Sequence, residues 1–307
     1  YYYNVFKDIE AYPDAWCFII VGGRNTGKTY GGLKGAYLQH NPFIFIKRTN
    51  DDVDLLCAGS GSIGSKTNEY GLDLSPFKSI NRDLGSNVKA FKIRSGLGGF
   101  WECTENENGE EKPDGNPIAY ICSLNSVSKF KGFDMSDAIY MFFDEFIPAP
   151  WEKVNREGDQ VMDLYKTVAR DREHRGKDPL KLIAFANATN ASNPLCNILE
   201  ITDMIADMQL KKVETSYIEE RGIFIRILEP NPEFIEKEKE SPIYKAMGHT
   251  AWGQMAFENT FAYNDFSNVG KPQIKGYKPV CSFIYKYKTY YVYQRDGIYY
   301  VTFSKFN

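Results

Sequence analysis

Apolar residues fall in short runs along the first two-thirds of the chain, each bounded by glycine, proline, asparagine or charge. Residues 16–21, WCFIIV, read as a buried strand followed by a glycine-rich turn, and the next segment predicts a helix that Asn41-Pro42 stops near His40. Residues 43–46, 89–94, 100–103, 118–124, 139–143 and 180–186 predict further strands, with the acidic, Pro- and Gly-punctuated stretch 105–117 as a surface loop. Residues 159–175 place Val161, Leu164, Tyr165 and Val168 at helical spacing and stop at Gly176. Buried-type strands separated by helices predict an α/β fold with a mostly parallel sheet covered on both faces.

After Asn197 the pattern changes. Residues 210–228 predict a hairpin around Glu219-Glu220-Arg221-Gly222, and 232–261 predict helix, with the charge run Glu236-Lys237-Glu238-Lys239-Glu240 as a solvated face. This stretch reads as a connecting module. In the tail, Phe283, Tyr285 and Tyr287 share one strand face, Ile284, Lys286 and Lys288 the other, and Asp296-Gly297 marks a tight hairpin. Two strands are too few for an independent sheet, so the tail reads as an appendage or as the start of a further domain. Residues 58–65, AGSGSIGS, predict a mobile loop with little side chain to pack.

A chain of 307 residues accommodates about two domains. Its 43% hydrophobic and 25% charged content is that of a globular protein, which excludes wholesale disorder. The longest purely apolar runs are six residues, too short to span a membrane, and the first residues show no secretory signal, so no membrane partner is expected. The net charge of −3 is a cancellation: residues 271–307 carry +6 together with 11 Tyr or Phe residues, and the rest of the chain carries −9. Six cysteines without C-x-x-C, and only three histidines, suggest neither a zinc site nor a disulfide framework. Reduced thiols in a cytosol-like compartment are expected.

Gly22-Gly23-Arg24-Asn25-Thr26-Gly27-Lys28-Thr29 fits G-x-x-x-x-G-K-[ST] directly after a buried strand and before a helix. Such a loop curls backbone N–H groups around phosphate oxygens at a helix start, where the helix dipole also favours an anion. Lys28 would neutralise the β- and γ-phosphates and Thr29 would offer its hydroxyl to Mg2+. Asp144 and Glu145 end the 139–143 strand; carboxylates there are costly unless a cation or water occupies the site, which suits Asp144 to Mg2+ and Glu145 to polarising an attacking water. No N-K-x-D base-reading motif is present, which favours ATP over GTP. Asn187 ends the next strand and is either a sensor of the γ-phosphate or a cap of the following loop. Arg170, Arg172 and Arg175 suit the end of a helix, and one of them, Arg170 first, could instead reach a neighbouring subunit's γ-phosphate, with Lys47 or Arg48 as further candidates. Lys129 and Lys131 flank Phe130 in a loop that is either solvated or in contact with a phosphate backbone. The alternating Tyr and Lys of the tail suits cross-strand pairing and nucleic acid equally.

V-G-G-R-N-T-G-K-T at 21–29, F-F-D-E-F at 142–146, A-R-D-R-E at 169–173 and the 187–194 segment together resemble the DNA-packaging ATPases of phi29-like short-tailed bacteriophages. The resemblance implies a P-loop ATPase domain of the additional-strand class over 1–205, a small helical and hairpin linker over 206–268, and over 269–307 the beginning of a basic, β-rich, nuclease-like C-terminal domain. It further implies a homo-oligomeric ring, a pentamer, docked in the host cytoplasm at the portal vertex of a procapsid. That ring would pump double-stranded DNA, in relatives with a structural packaging RNA as a further partner. Lys28, Thr29, Asp144 and Glu145 match the family's nucleotide residues, Arg170 its proposed arginine finger and Asn187 its sensor position. At position 50 the chain has Asn where relatives carry a basic residue, and Asp296 is the tail's only carboxylate, too few for a two-metal nuclease. Two other readings share the loop: a small-molecule kinase, and a nucleotide-gated nucleic-acid-binding or scaffold module without turnover.

Overall fold

The computed structural model describes residues 2–23, 26–60, 73–105, 111–130, 132–148, 156–170, 172–187, 192–229, 232–250, 253, 276–285, 288–295, 298–303 and 305. In chain order the elements are α1 (Val5–Ala11), β1 (Cys17–Val21), α2 (Lys28–Leu38), β2 (Phe43–Lys47), α3 (Asn50–Leu56), α4 (Phe77–Leu84), β3 (Val88–Arg94), β4 (Leu97–Glu105), β5 (Glu111–Pro113), β6 (Ala119–Ser123), β7 (Tyr140–Asp144), α5 (Glu157–Ala169), β8 (Lys181–Ala186), α6 (Pro194–Ile198), α7 (Thr202–Lys211), β9 (Thr215–Ile218), β10 (Ile223–Ile227), α8 (Pro232–Lys239), α9 (Pro242–Met247), β11 (Lys278–Tyr285), β12 (Lys288–Arg295) and β13 (Ile298–Thr302).

Ten strands form one large sheet in the order β3-β4-β6-β2-β7-β8-β1-β10-β9, with β5 paired to β4. Its centre, from β6 through β10, is parallel; β3, β4, β5 and β9 are antiparallel additions. The parallel strands are apolar on both faces, as their sequence implies. Phe18, Ile20, Phe43, Phe45, Phe142, Ile183 and Phe185 pack into one cluster with Leu33 and Ala36 of α2 and Phe77 and Ile80 of α4. Their sequence neighbours Ile19, Ile44, Met141, Leu182 and Ala184, pointing the other way, are equally buried, so both faces are covered. Among the described residues no helix is long and apolar enough to cross a membrane.

The strands stand where the apolar runs predicted them, with β4 extended to Leu97–Glu105 and a short β5 within the expected 105–117 loop. The hairpin expected in a connecting module is formed by β9 and β10, and it belongs to the large sheet: β10 runs parallel to β1, pairing Cys17 with Ile223 through Val21 with Ile227. Its buried Ile223, Phe224 and Ile225 supply the reason, since they complete the apolar surface beside β1. The helix expected over 159–175 ends at Ala169, and a single 3-10 turn follows at Glu173–Arg175. Between 232 and 250 the expected helix is two, α8 and α9, separated at Ser241, whose hydroxyl caps α9.

The chain divides into two compact units, Tyr1–Asn264 and Asp265–Asn307. The second contains three antiparallel strands in the order β11-β12-β13, where two were expected. Of the run read as continuing through Lys288, residues through Tyr285 lie in β11 and Lys288 opens β12; 286–287 and the expected hairpin residues Asp296 and Gly297 lie outside the described residues. Phe283 of β11 stacks on its register partner Tyr290 of β12 at 5.1 Å, the cross-strand aromatic pairing that the alternation allowed.

Candidate functional site

β1 ends at Val21 and is followed by Gly22-Gly23, and α2 begins at Lys28 with Gly27 as its cap in the left-handed conformation, φ 78°. Only glycine meets both demands made at position 27, because a Cβ there would also fall 2.5 Å from Tyr2 Cδ1. Arg24 and Asn25 lie outside the described residues. Lys28 Nζ curls back over the loop and donates to the carbonyls of Gly22 (2.8 Å) and Gly23 (2.6 Å) and to Thr26 Oγ1 (3.1 Å). Burial pushes its pKa down from the ordinary lysine value to about 8, against the pull of the Asp144 and Glu145 charges. Lys28 is a buried cation held at a helix start by carbonyl dipoles.

Thr26, Gly27, Lys28, Thr29 and Tyr30 line one side of a cleft of about 440 Å³, with Asp144, Glu145, Phe185, Ala186 and Asn187 on the other. The parallel topology explains the convergence: β8 lies between β1 and β7, so the C-terminal ends of all three open on the same edge. Thr29 Oγ1 donates to Asp144 Oδ1 at 2.6 Å, and Lys47 Nζ, ending β2, stands 3.7 Å from Asp144 Oδ2. A hydroxyl and a carboxylate in contact at the start of α2 are hard oxygen donors of the kind Mg2+ takes together with substrate phosphates and water. Among the described residues no group of three or more His, Cys, Asp or Glu side chains is arranged to hold a metal ion by itself.

Glu145, the exposed residue after Asp144, adopts φ 56°, an uncommon conformation for a residue with a side chain. Two contacts hold this turn: Phe146 N–H donates to the Phe185 carbonyl at 3.0 Å, and Arg48 Nη2 donates to the Glu145 carbonyl at 2.7 Å. Arg48 is itself fixed by Glu157 at the start of α5, Nε to Oε2 at 2.9 Å and Nη2 to Oε1 at 3.2 Å, with the two residues only 7% and 2% exposed. This buried pair ties the ends of β2 and β7 to α5. It also withdraws Arg48 from the candidates for reaching another subunit, and Lys47 faces its own chain's Asp144.

The remaining candidates separate clearly. Arg170 caps α5 outside the helix and is exposed. Arg172 is buried and donates to the carbonyls of Ser136 (2.7 Å), Ala138 (2.7 Å) and Asp178 (3.0 Å), so it staples the turn to the stretch before β7 and is not free to reach a neighbour. Asp171 lies outside the described residues, and Arg175 is exposed in the 3-10 turn. Asn50 opens α3 and is occupied locally, accepting from Ser126 Oγ (2.9 Å) and donating to Ser95 Oγ (3.4 Å). Asn187 lines the cleft, while Asn193 caps α6 by accepting from Cys196 N–H at 2.9 Å. Thr189 and Asn190 lie outside the described residues. Lys129 is exposed at the end of a 3-10 segment, Leu124–Phe130, where its carbonyl accepts from Arg94; Lys131 lies outside the described residues. Sequence reasoning missed Glu157 and the first residues of the chain. Asn4 followed by Val5 and Phe6 was a readable helix start, whereas nothing near Glu157 names Arg48 as its partner.

No protein-family model matches the chain, and no curated protein matches it. Solved structures do. The Phi-28 gp11 DNA packaging motor has a TM-score of 0.60 at 19% identity, over 98% of this chain and 79% of that one. The bacteriophage Phi-29 viral genome packaging motor assembly gives 0.61 at 15% identity, over 100% of this chain and 81% of that one. The N-terminal domain of the DNA packaging ATPase from bacteriophage phi29 gives 0.51 at 15% identity, over 74% of this chain and 96% of that one. The chain shares the fold of these packaging proteins, and the resemblance carried by its motifs meets the same group.

Proposed function

We propose that a chain with the fold of these packaging motors is itself the ATP-hydrolysing subunit of a homo-oligomeric ring, a pentamer, that drives double-stranded DNA into a procapsid. One observation carries the reading: Lys28, Thr29, Asp144, Glu145 and Asn187, from the ends of two parallel strands and one helix start, face a single cleft. The strand between β1 and β7 agrees with a P-loop ATPase of the additional-strand class.

In this reading the loop 22–29 and the start of α2 bind the phosphates, and Lys28 exchanges its carbonyl partners for β- and γ-phosphate oxygens. Thr29 and Asp144 would hold Mg2+, which would offset the charge of the phosphates. Glu145 accepts a hydrogen bond from the attacking water and aligns it with the γ-phosphate, its position set by the turn that Arg48 supports. Asn187 contacts the γ-phosphate or that water. Arg170, exposed at the end of α5, completes the site of the adjoining subunit. Lys129 and Lys131 meet the DNA backbone, and the basic 271–307 unit faces nucleic acid. The ring's further partners are the portal of the procapsid and a structural packaging RNA, in the host cytoplasm.

The experiment is the ATPase rate with and without double-stranded DNA and portal-bearing procapsids, on wild type and Glu145→Gln. DNA- and procapsid-stimulated phosphate release that Glu145→Gln abolishes while retaining nucleotide is the expected result. Phosphotransfer to a small acceptor without DNA stimulation would make the chain a kinase, and binding without any release would make it a nucleotide-gated module.

A further inference from the structure

The segment ahead of α1 is fixed against the phosphate loop at several points. Tyr3 N–H donates to the Thr26 carbonyl at 2.9 Å, and the Tyr3 hydroxyl donates to Asp8 Oδ2 at 2.5 Å. Asp8 is in turn gripped by Arg226 of β10 through two bonds of 2.6 and 2.8 Å. Burial and the adjacent Asp8 carboxylate raise the Tyr3 pKa well above the ordinary phenol value, which keeps the hydroxyl a donor. α1 itself packs on α2, where Gly35 leaves the space that Phe6 fills.

The consequence is the position of Tyr2. Its ring lies directly on Gly27 and 5.3 Å from the ring of Tyr30, yet 69% of the residue stays exposed. Tyr30 is held rigid, its hydroxyl donating to Asp83 Oδ2 at 2.7 Å and accepting from Lys34 Nζ at 3.0 Å. Thr29 turns toward Asp144, and Tyr30, one residue later, is rotated by about 100° around the helix axis. A triphosphate with its γ-end at Asp144, Glu145 and Asn187 therefore leads its nucleoside out past Tyr30. An exposed aromatic ring gains little from packing, but it offers a π-face where a heterocycle leaves the cradle.

We propose that Tyr2, backed by Tyr30, is the stacking platform for the base of the nucleotide whose phosphates the loop 22–29 holds. This rests on the nucleotide reading of the cleft and adds the element that tells a nucleotide from a bare polyphosphate. Recognition comes from the ring face.

The test compares Mg-ATP with Mg-tripolyphosphate, which has the phosphates and no base, on the full chain. Tyr2→Ala should weaken ATP by about 5- to 150-fold, the range for one lost base-aromatic stack, and leave tripolyphosphate unchanged. Tyr2→Phe should bind both as wild type does. Equal weakening of both ligands by Tyr2→Ala would mean that the segment only props the loop, and unchanged ATP affinity would mean that the base goes elsewhere; either overturns the proposal. Lys28→Ala separates the two levels. If it too leaves both ligands bound, the phosphate-loop reading falls; if it weakens both while Tyr2→Ala does nothing, the platform alone falls.

Discussion

Lys28 makes a pH prediction that needs no mutation. In the ligand-free protein its pKa is about 8, because burial disfavours the ammonium more than Asp144 and Glu145 favour it. In the proposed reading, phosphate oxygens in place of the Gly22 and Gly23 carbonyls hold it charged, so nucleotide would bind the protonated form. The protonated fraction is about 0.9 at pH 7, about 0.5 at pH 8 and about 0.1 at pH 9, so affinity for a non-hydrolysable Mg-ATP analogue falls about ten-fold from pH 7 to 9. Binding at pH 8 also takes up about half a proton, read by titration calorimetry in buffers of different ionisation enthalpy. Lys28→Arg, charged throughout, binds without this pH dependence. The same group moves stability the other way. Its pKa is lower folded than unfolded, so between pH 8 and the ordinary lysine value the unfolded chain holds more protons, and the ligand-free protein gains stability, by about 3 kcal/mol at most. The difference between wild type and Lys28→Ala isolates that gain. Constant affinity from pH 7 to 9 together with no proton uptake would refute the reasoning.

Three further outcomes follow from named contacts. Arg48→Ala strands the Glu157 carboxylate in the interior and costs about 3–5 kcal/mol in denaturant unfolding, while Arg48→Met/Glu157→Met, which removes both charges, recovers more than half of that loss. Arg170→Ala, at an exposed position, shifts stability by less than about 0.5 kcal/mol but abolishes turnover of a uniform ring. Mixed with Lys28→Ala subunits it regains activity, since each variant supplies what the other lacks; no recovery, with normal assembly of wild-type mixtures, would remove Arg170 from the shared site. Gly35→Ala drives a methyl group into Phe6, costs about 1–3 kcal/mol and exposes the first residues to limited proteolysis before the core unfolds.

The parallel strands were readable because each is buried on both faces: a run such as residues 139–143 has no polar position to give to solvent. The turn from β1 into α2 was readable for a related reason, since its shape is local and demands glycine at a left-handed cap before the helix that opens at Lys28. The hairpin 215–227 was recognised as a hairpin but not as part of the large sheet. Periodicity reports that Ile223, Phe224 and Ile225 are buried, not that β1 has an open edge for them. The short helices α1, α3, α6 and α7 carry too few turns for a 3.6-residue period to rise above noise.

Arginine shows where legibility ends. Arg48, Arg170, Arg172 and Arg175 are chemically identical in the sequence, and all four suited a cation offered to a neighbouring subunit. Their fates diverge only through long-range partners: Glu157, 109 positions from Arg48, and the Ser136 and Ala138 carbonyls, 36 and 34 positions from Arg172. A guanidinium already saturated by buried acceptors would have to break two or three charge-assisted bonds before it could stabilise a phosphate elsewhere, at about 1.5–3 kcal/mol for each bond. Arg170 and Arg175 are exposed where Arg48 and Arg172 are buried, which sets them apart from the other two. Between these, the helix geometry favours Arg170, because its backbone N–H still bonds to the Lys166 carbonyl and fixes where the side chain leaves α5. An arginine serving a second subunit needs an anchored backbone and an exposed side chain at the helix end, and the mixing experiment tests it without reference to any single chain's stability.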